Sequence, residues 1–547
     1  MDKTDATTPT FEAAFRRVDE YIQRRMRADA IPGLALAVTT REELLGVRAY
    51  GHTDLSGQRP VTPETLFPIA SIGKSFTCLA LLQQAERGRL DLHAPITKYL
   101  PWFQVRSRHA PITLHHLMSH SAGISMGTDF TPGTRYDVYQ LREMEANPPG
   151  VAFHYSNVGY KALGFLLEDV LGQPYHAILQ TGLLDPVGMR DTRPALTNDL
   201  RQRVAVGHIP LYDDRPYHPS LPLAPAPWLE YGAGDGSPAS TPADLAIYAR
   251  VLLNGGQGPQ GRVVSEESFR QMISPAIQIR PGISYGYGVI VGEVDGHRCI
   301  WHDGEHVGYT STSQCDLDDG LAVVVLDNGP FDAHGIGAFV LKTFRAALHQ
   351  HALPDLPEHT PTRVTNAAEY VGRYSSDGHS FALEAANGEL HLLWGAERVV
   401  LEPRGRDTFY VAHPEWSRFL LRFQRQDGQV AEATFGADWY TNERYQGPTT
   451  FEVPAEWKAY VGHYRSHNPW LSNFRVVLRK GKLVLLVAAG GEQELAQESD
   501  GSFSYSRFLD EQKTVHPPER LHFDTLVDGL AQRAILSGCA CYRFFTE

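Results

Sequence analysis

Ser71 and Lys74, three positions apart in a Ser-Ile-Gly-Lys tetrapeptide, are the residues of this chain best placed to do chemistry. They follow the apolar run Leu66–Ala70 and open a predicted helix that continues to about Arg87. Residues three apart on a helix share one face, about 5–6 Å apart at Cβ, so this spacing sets a hydroxyl beside an amine. A lysine near a helix N-terminus and shielded from water loses its proton more readily. Such a pair can activate serine as a nucleophile.

Two later motifs supply further polar side chains. Tyr155 and Asn157 form a Tyr-Ser-Asn motif in an aromatic stretch, and His302 and Gly304 form a His-Asp-Gly motif on a predicted strand. Both spacings recur elsewhere in the chain, so neither motif is specific alone. The order of the three motifs along the chain is more informative than any one of them.

In this order the motifs resemble those of the serine β-lactamase and penicillin-binding-protein superfamily. Within it the motifs most resemble those of the class C β-lactamase-like group, which also contains esterases and D-amino-acid-specific peptidases. Three further stretches resemble family patterns: Ile31–Ala35 the first strand entry, Thr113–Ile124 the L-x-T-H-T-S-G-L loop, and Gly232–Leu245 the A-G-G-L-x-S-T-A-x-D-L segment. The resemblance covers about residues 10–350, and the combination of motifs makes it specific.

The resemblance implies a role for each motif residue. Ser71 would attack a carbonyl carbon, and Lys74 would lower the cost of removing the serine proton. Tyr155 would share that proton and deliver it to the leaving group, because a nearby ammonium stabilises a phenolate. Asn157 would hold the lysine and offer its amide to the substrate. His302 would orient Tyr155 or contact a substrate carboxylate, with a charge that depends on pH.

The resemblance also places an oxyanion hole between the backbone N–H groups of Ser71 and Glu305, just past Gly304. Two residues depart from the family pattern. Histidine at position 302, where β-lactamases favour a permanent cation, favours a peptidase or esterase. The carboxylate of Glu305 stands where many relatives have a small residue, and it either recognises a substrate ammonium or is a solvated edge residue.

These observations predict a serine hydrolase that forms an acyl-enzyme on Ser71. We expect it to cleave small amides or peptides, as D-aminopeptidases and DD-peptidases do. A carboxylesterase acting on short acyl esters is the alternative within enzymes. A binding protein with a vestigial hydrolase fold is the alternative of another class, although retention of all four of Ser71, Lys74, Tyr155 and His302 speaks against it.

Composition narrows the choice of partners and compartment. The chain has 547 residues, 42% of them apolar, and a net charge of -13. This length predicts two or three domains, and the negative charge argues against nucleic acid and anionic membranes as partners. No signal peptide or spanning segment is visible, so we expect a cytoplasmic protein unless a signal has been removed. We expect a small-molecule or short-peptide substrate as the partner. The sequence leaves open whether the protein forms a homo-oligomer.

Neither the cysteines nor the histidines predict a metal site. The five cysteines lack paired spacing, and one residue between Cys539 and Cys541 is too few for a metal knuckle, so buried inert thiols are favoured. The 24 histidines include His115, His116 and His120, but these fall in the His-Ser-Ala-Gly loop, where structural hydrogen bonding is commoner. We therefore predict no metal and no cofactor.

Periodicity predicts the elements that carry the motifs in a catalytic domain over residues 1–355. We expect an α/β, β-lactamase/DD-peptidase-like fold, in which a sheet flanked by helices carries an inserted helical lobe. Its predicted helices start near Phe11, Ser71 and Gly335, and its predicted strands cover Leu34–Val38, Leu44–Tyr50, Tyr285–Val291, Cys299–Trp301 and Leu321–Asp327. Substrate specificity would lie in the loops around 125–150 and 210–238, with a barrel loop folded over the cleft as a further candidate.

The chain changes character after His351, where a proline-rich stretch predicts a linker. Beyond it, Glu369–Tyr374 recurs as Ala459–Tyr464, a repeat of about ninety residues. The repeat predicts two antiparallel lipocalin-like β-barrels, over 364–450 and 454–547, as in some peptidases of the same superfamily. A single sandwich with two equivalent edge strands is the alternative.

Overall fold

A computed structural model describes residues 10–127, 134–358, 360–505 and 519–544. The predictions about the N-terminal leader and about part of the 125–150 loop fall on residues outside these ranges. The chain forms two compact units. The first contains the chain up to Ile209 together with Leu223–Leu356, and the second contains Pro210–Pro222 and most of the chain from Pro357 onward.

An antiparallel sheet of eight strands forms the centre of the first unit, in the order β2-β1-β8-β7-β6-β5-β4-β3. The strands are β1 (Gly33–Thr40), β2 (Leu44–Gly51), β3 (Ile277–Arg280), β4 (Ile283–Tyr285), β5 (Ile290–Val294), β6 (His297–His306), β7 (Tyr309–Asp316) and β8 (Leu321–Asp327). Every residue of β8 is buried, because helices cover both faces of the sheet. A strand covered on both faces has a continuous apolar run rather than an alternating pattern.

Five longer helices pack around this sheet: α1 (Phe11–Asp29), α2 (Gly73–Glu86), α3 (Asn157–Leu171), α4 (Pro242–Leu253) and α5 (Ala333–Leu348). Helices α1 and α5 contribute to the core on one face, whereas α2, α3 and α4 contribute to the larger core on the other. Shorter helices lie at Leu114–Met118, Arg135–Tyr139, Tyr175–Leu179, Asp185–Val187 and Glu266–Met272. The predicted sheet with flanking helices is therefore confirmed.

One strand prediction is wrong. The residues Tyr285–Val291 do not form a single strand, because β4 ends at Tyr285 and β5 begins at Ile290. Between them Gly288 has a φ of +69°, a left-handed conformation that favours glycine. A Cβ on Gly288 would lie 2.7 Å from the Cα of Ser75, so the turn packs directly against the start of α2.

Two barrels form most of the second unit. The first is a closed eight-stranded barrel of β9 (Gly372–Ser376), β10 (His379–Ala386), β11 (Glu389–Trp394), β12 (Glu397–Gly405), β13 (Thr408–Val411), β14 (Leu421–Gln426), β15 (Gln429–Phe435) and β16 (Asp438–Thr441). Its interior is filled by aromatic rings, among them Tyr374, Phe381 and Trp416. These rings form the packed core of the barrel.

The second barrel is a nearly closed sheet of nine strands. These are β17 (Gly462–Arg465), β18 (Asn473–Arg479), β19 (Lys482–Val487), β20 (Glu492–Glu494), β21 (Ala496–Gln497), β22 (Phe503–Ser504), β23 (Arg520–Val527), β24 (Leu530–Leu536) and β25 (Cys539–Phe544). The sequence repeat marks equivalent positions, since the hydroxyl of Tyr374 donates to the Tyr370 carbonyl at 2.9 Å and that of Tyr464 donates to the Tyr460 carbonyl at 2.7 Å. Two barrels rather than one sandwich are confirmed.

The segment Pro210–Pro222 belongs to the barrel unit, although the chain on both sides of it belongs to the first unit. The Asp213 carboxylate accepts a hydrogen bond from Ser472 at 2.9 Å, and its carbonyl accepts one from Asn473 at 2.7 Å. The His218 ring stacks on Tyr410 with ring centroids 4.7 Å apart. Contacts to residues from both barrels therefore hold this segment.

No helix among the residues described is long and apolar enough to cross a bilayer. All five cysteines are buried and in the thiol form, as expected.

Candidate active site

Ser71 lies at the junction between a short strand and α2. Phe67 and Pro68 pair with Ala239 and Ser240, and the chain then makes a 3-10 turn over Ala70–Ile72 before α2 begins. Ala70 has a φ of +46°, a left-handed conformation that is strained for a residue with a Cβ. The half-buried Ser71 therefore follows a strained residue at the start of a helix.

Lys74 lies one turn further along, at the start of α2, and is fully buried. Its Nζ donates to Ser71 Oγ at 2.9 Å and to the carbonyl oxygen of Asp235 at 2.6 Å. The hydroxyl–amine contact predicted from the spacing is therefore present in the structure. Since Nζ contacts both the Ser71 hydroxyl and the Asp235 carbonyl, its position beside the serine is fixed by two hydrogen bonds.

The Tyr-Ser-Asn motif brings a phenol to the same place. Lys74 Nζ lies 4.9 Å from the centroid of the Tyr155 ring. The motif directly precedes α3, whose N-cap is Ser156, and the Ser156 hydroxyl accepts the Gly159 N–H at 3.1 Å. Asn157 is the first residue of α3, is half-buried, and donates its backbone N–H to the Met126 carbonyl at 2.9 Å. The helix start thus fixes where Tyr155 projects.

His302 lies on β6 and uses both ring nitrogens. Its Nδ1 is 2.6 Å from the Asp303 carbonyl oxygen, and its Nε2 is 2.8 Å from the Tyr285 hydroxyl. Since a carbonyl can only accept, Nδ1 carries the proton, and in neutral imidazole Nε2 must then accept from Tyr285. Burial, together with the charge of Lys74, lowers the pKa of His302 to about 4. The side chain is therefore neutral at physiological pH.

The His302 and Tyr155 rings lie 6.3 Å apart between centroids. The sequence interpretation gave His302 either a role in orienting Tyr155 or a contact with a substrate carboxylate, with a pH-dependent charge. In the structure Nε2 contacts the Tyr285 hydroxyl, and a neutral ring attracts a carboxylate only weakly; which of the two roles His302 has stays a prediction.

Gly304 brings β6 against the segment before Ser71. A Cβ at this position would lie 2.2 Å from the Ile69 carbonyl oxygen, so only glycine fits without a shift of the backbone. The Ser311 hydroxyl, opposite Gly304 on β7, donates to the same carbonyl at 3.0 Å. Glu305 is the next residue of β6 and is exposed. The strand predicted to line the site therefore adjoins the segment that leads to Ser71.

The cluster contains two side chains that were not predicted as site residues, namely His120, for which the sequence favoured structural hydrogen bonding, and Tyr285. His120 is buried, its Nδ1 accepts the Ser156 N–H at 3.0 Å, and its ring centroid is 4.1 Å from that of Tyr155. Tyr285 binds His302 and lies 4.7 Å from His120 between ring centroids. The His-Ser-Ala-Gly loop was recognised only as a family pattern, and the aromatic–glycine alternation after Tyr285 was read as part of a strand.

Among the residues described, one group of three side chains has the spacing of a metal site, namely His297, Asp316 and Asp319. The Arg345 guanidinium donates to the Asp316 carboxylate at 2.9 and 2.7 Å and so already supplies its positive charge. Asp316 is opposite Cys299 on the sheet, whereas Ser313 is opposite His302. The group is therefore at a different position along β6 from the Ser71 cluster.

Several known proteins are similar to this chain. It is 25% identical over 402 residues to penicillin-binding protein 4* of Bacillus subtilis, a match covering 68% of this chain and 85% of that protein. It is 27% identical over 326 residues to esterase EstB of Burkholderia gladioli, covering 52% and 82% respectively. The structure of an octameric penicillin-binding protein homologue from Pyrococcus abyssi superposes with a TM-score of 0.58 at 24% identity, over 78% of this chain and 99% of that one.

The family model described as Beta-lactamase matches residues 18–340, more than half of the chain. This range contains the serine, tyrosine and histidine motifs and the sheet that carries them. The likeness to penicillin-binding proteins and to an esterase agrees with it. The chain therefore belongs to the Beta-lactamase family, within the superfamily of serine β-lactamases and penicillin-binding proteins.

Proposed function

We propose that this protein is a serine hydrolase that forms an acyl-enzyme on Ser71 and cleaves small amides or short peptides, with D-amino-acid-type substrates preferred. The observation that carries the proposal is the 2.9 Å hydrogen bond from buried Lys74 to Ser71, with the Tyr155 ring 4.9 Å from the same ammonium. A serine without an adjacent base is a weak nucleophile, and this arrangement supplies both a charge and a proton acceptor.

The proposed reaction uses each of these groups in turn. Ser71 Oγ attacks the carbonyl carbon while its proton passes to Tyr155, which accepts it as a phenolate, and Lys74 stabilises that phenolate before the transfer. Tyr155 then gives the proton to the leaving group, and a water molecule repeats the steps on the acyl-enzyme. The N–H groups of Ser71 and Glu305 would bind the oxyanion, and each such donor typically contributes about 2.7–4 kcal/mol to lowering the barrier.

A serine-reactive fluorophosphonate tests the nucleophile directly. We expect intact-mass analysis to show one adduct on the native protein and none on Ser71→Ala. Tyr309→Phe is a matched control, since it removes a buried hydroxyl that donates to the Ala205 carbonyl. Equal labelling of native protein and Ser71→Ala, or no labelling of the folded native protein, would refute the proposal and favour a binding protein with a vestigial site.

A carboxylesterase is the second candidate, and the neutral state of His302 favours it. An enzyme that binds a substrate carboxylate benefits from a cation, whereas an ester of a neutral acyl group does not need one. The likeness to EstB is compatible with this candidate. Turnover of D- and L-aminoacyl amides against short acyl esters distinguishes the two, because only an amidase cleaves the amides at rates comparable to the esters.

Exposed Glu305 offers a finer proposal about the substrate. A carboxylate at the rim of the site attracts a free amino group, so an aminopeptidase would prefer free over N-acetylated amides. We expect Glu305→Gln to reduce this preference. If the ratio of kcat/KM for the two amides is the same in both proteins, Glu305 is a solvated edge residue.

A further inference from the structure

One residue binds the chain on both sides of Tyr155. The N–H of His154, the residue before the tyrosine, donates to the His120 carbonyl at 2.7 Å. The N–H of Ser156, the residue after it, donates to His120 Nδ1 at 3.0 Å. The bond to Ser156 is buried, and a buried N–H that loses its acceptor is costly. His120 therefore fixes the backbone that carries the phenol.

The His120 ring also packs on the phenol itself. The ring centroids of His120 and Tyr155 lie 4.1 Å apart, with 35° between the ring planes. The rings of Tyr160 and Tyr285 lie 4.9 and 4.7 Å from that of His120 between centroids, and His120 is 1% exposed. Because Lys74 Nζ lies 4.9 Å from the centroid of the packed Tyr155 ring, the same histidine helps to hold the phenol beside the ammonium.

His120 does not accept the serine proton itself. Because the Ser156 N–H donates to Nδ1, this nitrogen carries no proton, and in neutral imidazole the proton is then on Nε2. Burial, together with the charge of Lys74, lowers the pKa of His120 well below its usual value, so the ring is neutral at physiological pH. With one ring nitrogen bound to Ser156 and the other protonated, the ring has no lone pair left for a further proton. Any effect of His120 on the reaction must therefore pass through Tyr155.

The loop that contains His120 has a strained backbone. The φ of His120 is +56°, a left-handed conformation that is uncommon for residues with a Cβ. Three residues later Gly123 has a φ of +69°, and a Cβ there would lie 2.4 Å from the Asn147 carbonyl oxygen. The loop thus packs closely against the segment that leads to Tyr155. Strain of this kind persists where the surrounding contacts determine the conformation, and it is commonest at functional sites.

We propose that His120 is the positioning residue of Tyr155, and that its Nδ1 acceptor keeps the phenol oxygen where it exchanges a proton with Ser71. The inference rests on the proposed function and adds a residue to it. The bond to the Ser156 N–H sets the position of the backbone after Tyr155, and the imidazole ring sets the plane of the phenol. His120 takes no proton in this role.

The rate of fluorophosphonate labelling of Ser71, measured by intact mass, tests this role. Glycine and asparagine both adopt a left-handed φ readily, so neither His120→Gly nor His120→Asn strains the loop. His120→Gly removes the ring and the acceptor. We expect it to slow labelling at least about 10-fold, since a displacement of about 1 Å can cost about 100-fold in rate. His120→Asn returns an acceptor oxygen near the position of Nδ1 and should recover most of the lost rate.

A second background separates positioning from general support of the fold. Once Tyr155→Phe has removed the phenol oxygen, His120→Gly has nothing left to position and should slow labelling no further. The probe concentration is raised until the slower rate of Tyr155→Phe is measurable. His116→Ala is the matched control, because His116 Nδ1 also accepts a backbone N–H, that of Thr113 at 3.2 Å, in the short helix before His120. It should label at the native rate.

The outcomes separate this inference from the function on which it rests. A native labelling rate for folded His120→Gly overturns it, and so does an equal loss of rate in His116→Ala or in His120→Asn. The same fold loss from His120→Gly in the native and the Tyr155→Phe proteins also overturns it, because the histidine would then act on the fold and not through the phenol. A native protein that does not label refutes the proposed function instead. Thermal melting of each variant verifies that folded proteins are compared.

Discussion

The Tyr155 hydroxyl group is expected to matter more for amides than for esters. An amine leaving group must be protonated as it departs, whereas an alkoxide from an activated ester needs less help. We expect Tyr155→Phe to lower kcat/KM for both substrates, because Tyr155 also accepts the Ser71 proton, and to lower it more for an amide, by about 10²–10⁴-fold, than for an ester with the same acyl group. Paired amide and ester assays measure this, and equal losses on both substrates would contradict the role of Tyr155 as proton donor.

How far the candidate site could be predicted differs from residue to residue. Ser71 and Lys74 were predictable because a spacing of three on a helix fixes a contact. His302 was found by its motif, but its partner was not, because the hydrogen bond to Tyr285 joins residues across a turn that was taken for a strand. His120 contacts Tyr155 only through the fold, and its local pattern predicts a structural role. Tertiary contacts of this kind leave no periodic signal in the sequence.

At the scale of elements, the close approach of β6 to the segment before Ser71 gives a sharp test. We expect Gly304→Ala to slow Ser71 labelling by at least about 100-fold, because a Cβ 2.2 Å from the Ile69 carbonyl displaces the strand that carries the Glu305 N–H. The melting temperature should fall as well. Gly261→Ala is the control, since a Cβ there meets no atom within 4 Å. Normal labelling of Gly304→Ala would show that β6 does not form the oxyanion hole.

The end of β8 carries a buried carboxyl that links stability to pH. Burial raises the pKa of Asp327 to about 7, although Thr310 and the Gly329 N–H bind the carboxyl at 2.7 and 3.1 Å. The unfolded chain releases this proton near its ordinary pKa of about 4. Between about pH 4 and 7 the folded state binds more protons, so this group lowers the free energy of unfolding as pH rises.

We therefore expect Asp327→Asn to have the same free energy of unfolding as the native protein near pH 4 and a larger one near pH 8. The difference of about three units between the folded and unfolded pKa values limits this gain in the free energy of unfolding to about 4 kcal/mol. Denaturant unfolding at the two pH values measures the difference. The same change with pH in both proteins would mean that Asp327 ionises normally in the folded state.

Most elements of the first unit were predictable because their periodicity was strong. The buried strand Leu321–Asp327 and the helix from Phe11 were found with ends correct to within a few residues. The break after Tyr285 was missed since Gly286 and Gly288 are compatible with a strand in a short window, and only packing against α2 makes the turn necessary. Strand β7 was not predicted at all. The residues of Tyr309–Asp316 are mostly polar, so their composition gives no sign that the strand is buried in the folded protein.

At the scale of the whole molecule, the repeat predicted the barrels, and their boundaries stay a proposal. We propose three domains, over 1–355, 364–450 and 454–547. The segment Pro210–Pro222 was expected to shape substrate specificity from within the first of these, yet it packs with the barrel unit. Its contacts depend on Asp213 and His218, isolated polar residues that carry no pattern.

Two compact units predict two thermal transitions. Trp416 is 3% exposed and contacts Phe381, Trp394 and Phe435 in the first barrel. We expect Trp416→Ala to destabilise the barrel unit by about 3–5 kcal/mol and to lower one transition in calorimetry. Leu526→Ala, at an exposed position, is the control. A single transition that moves as a whole would show that the units unfold together.

Tyr374 and Tyr464 each donate a hydrogen bond to the carbonyl four residues earlier in the chain. An equivalent bond at both positions of a repeat is typical of a tandem duplication. Each barrel makes this bond between residues of its own segment and shares none of it with the other barrel. Because each barrel has its own core, substitutions on the surface of one barrel need not change the stability of the other. One barrel can therefore gain a new binding surface while the other keeps its fold.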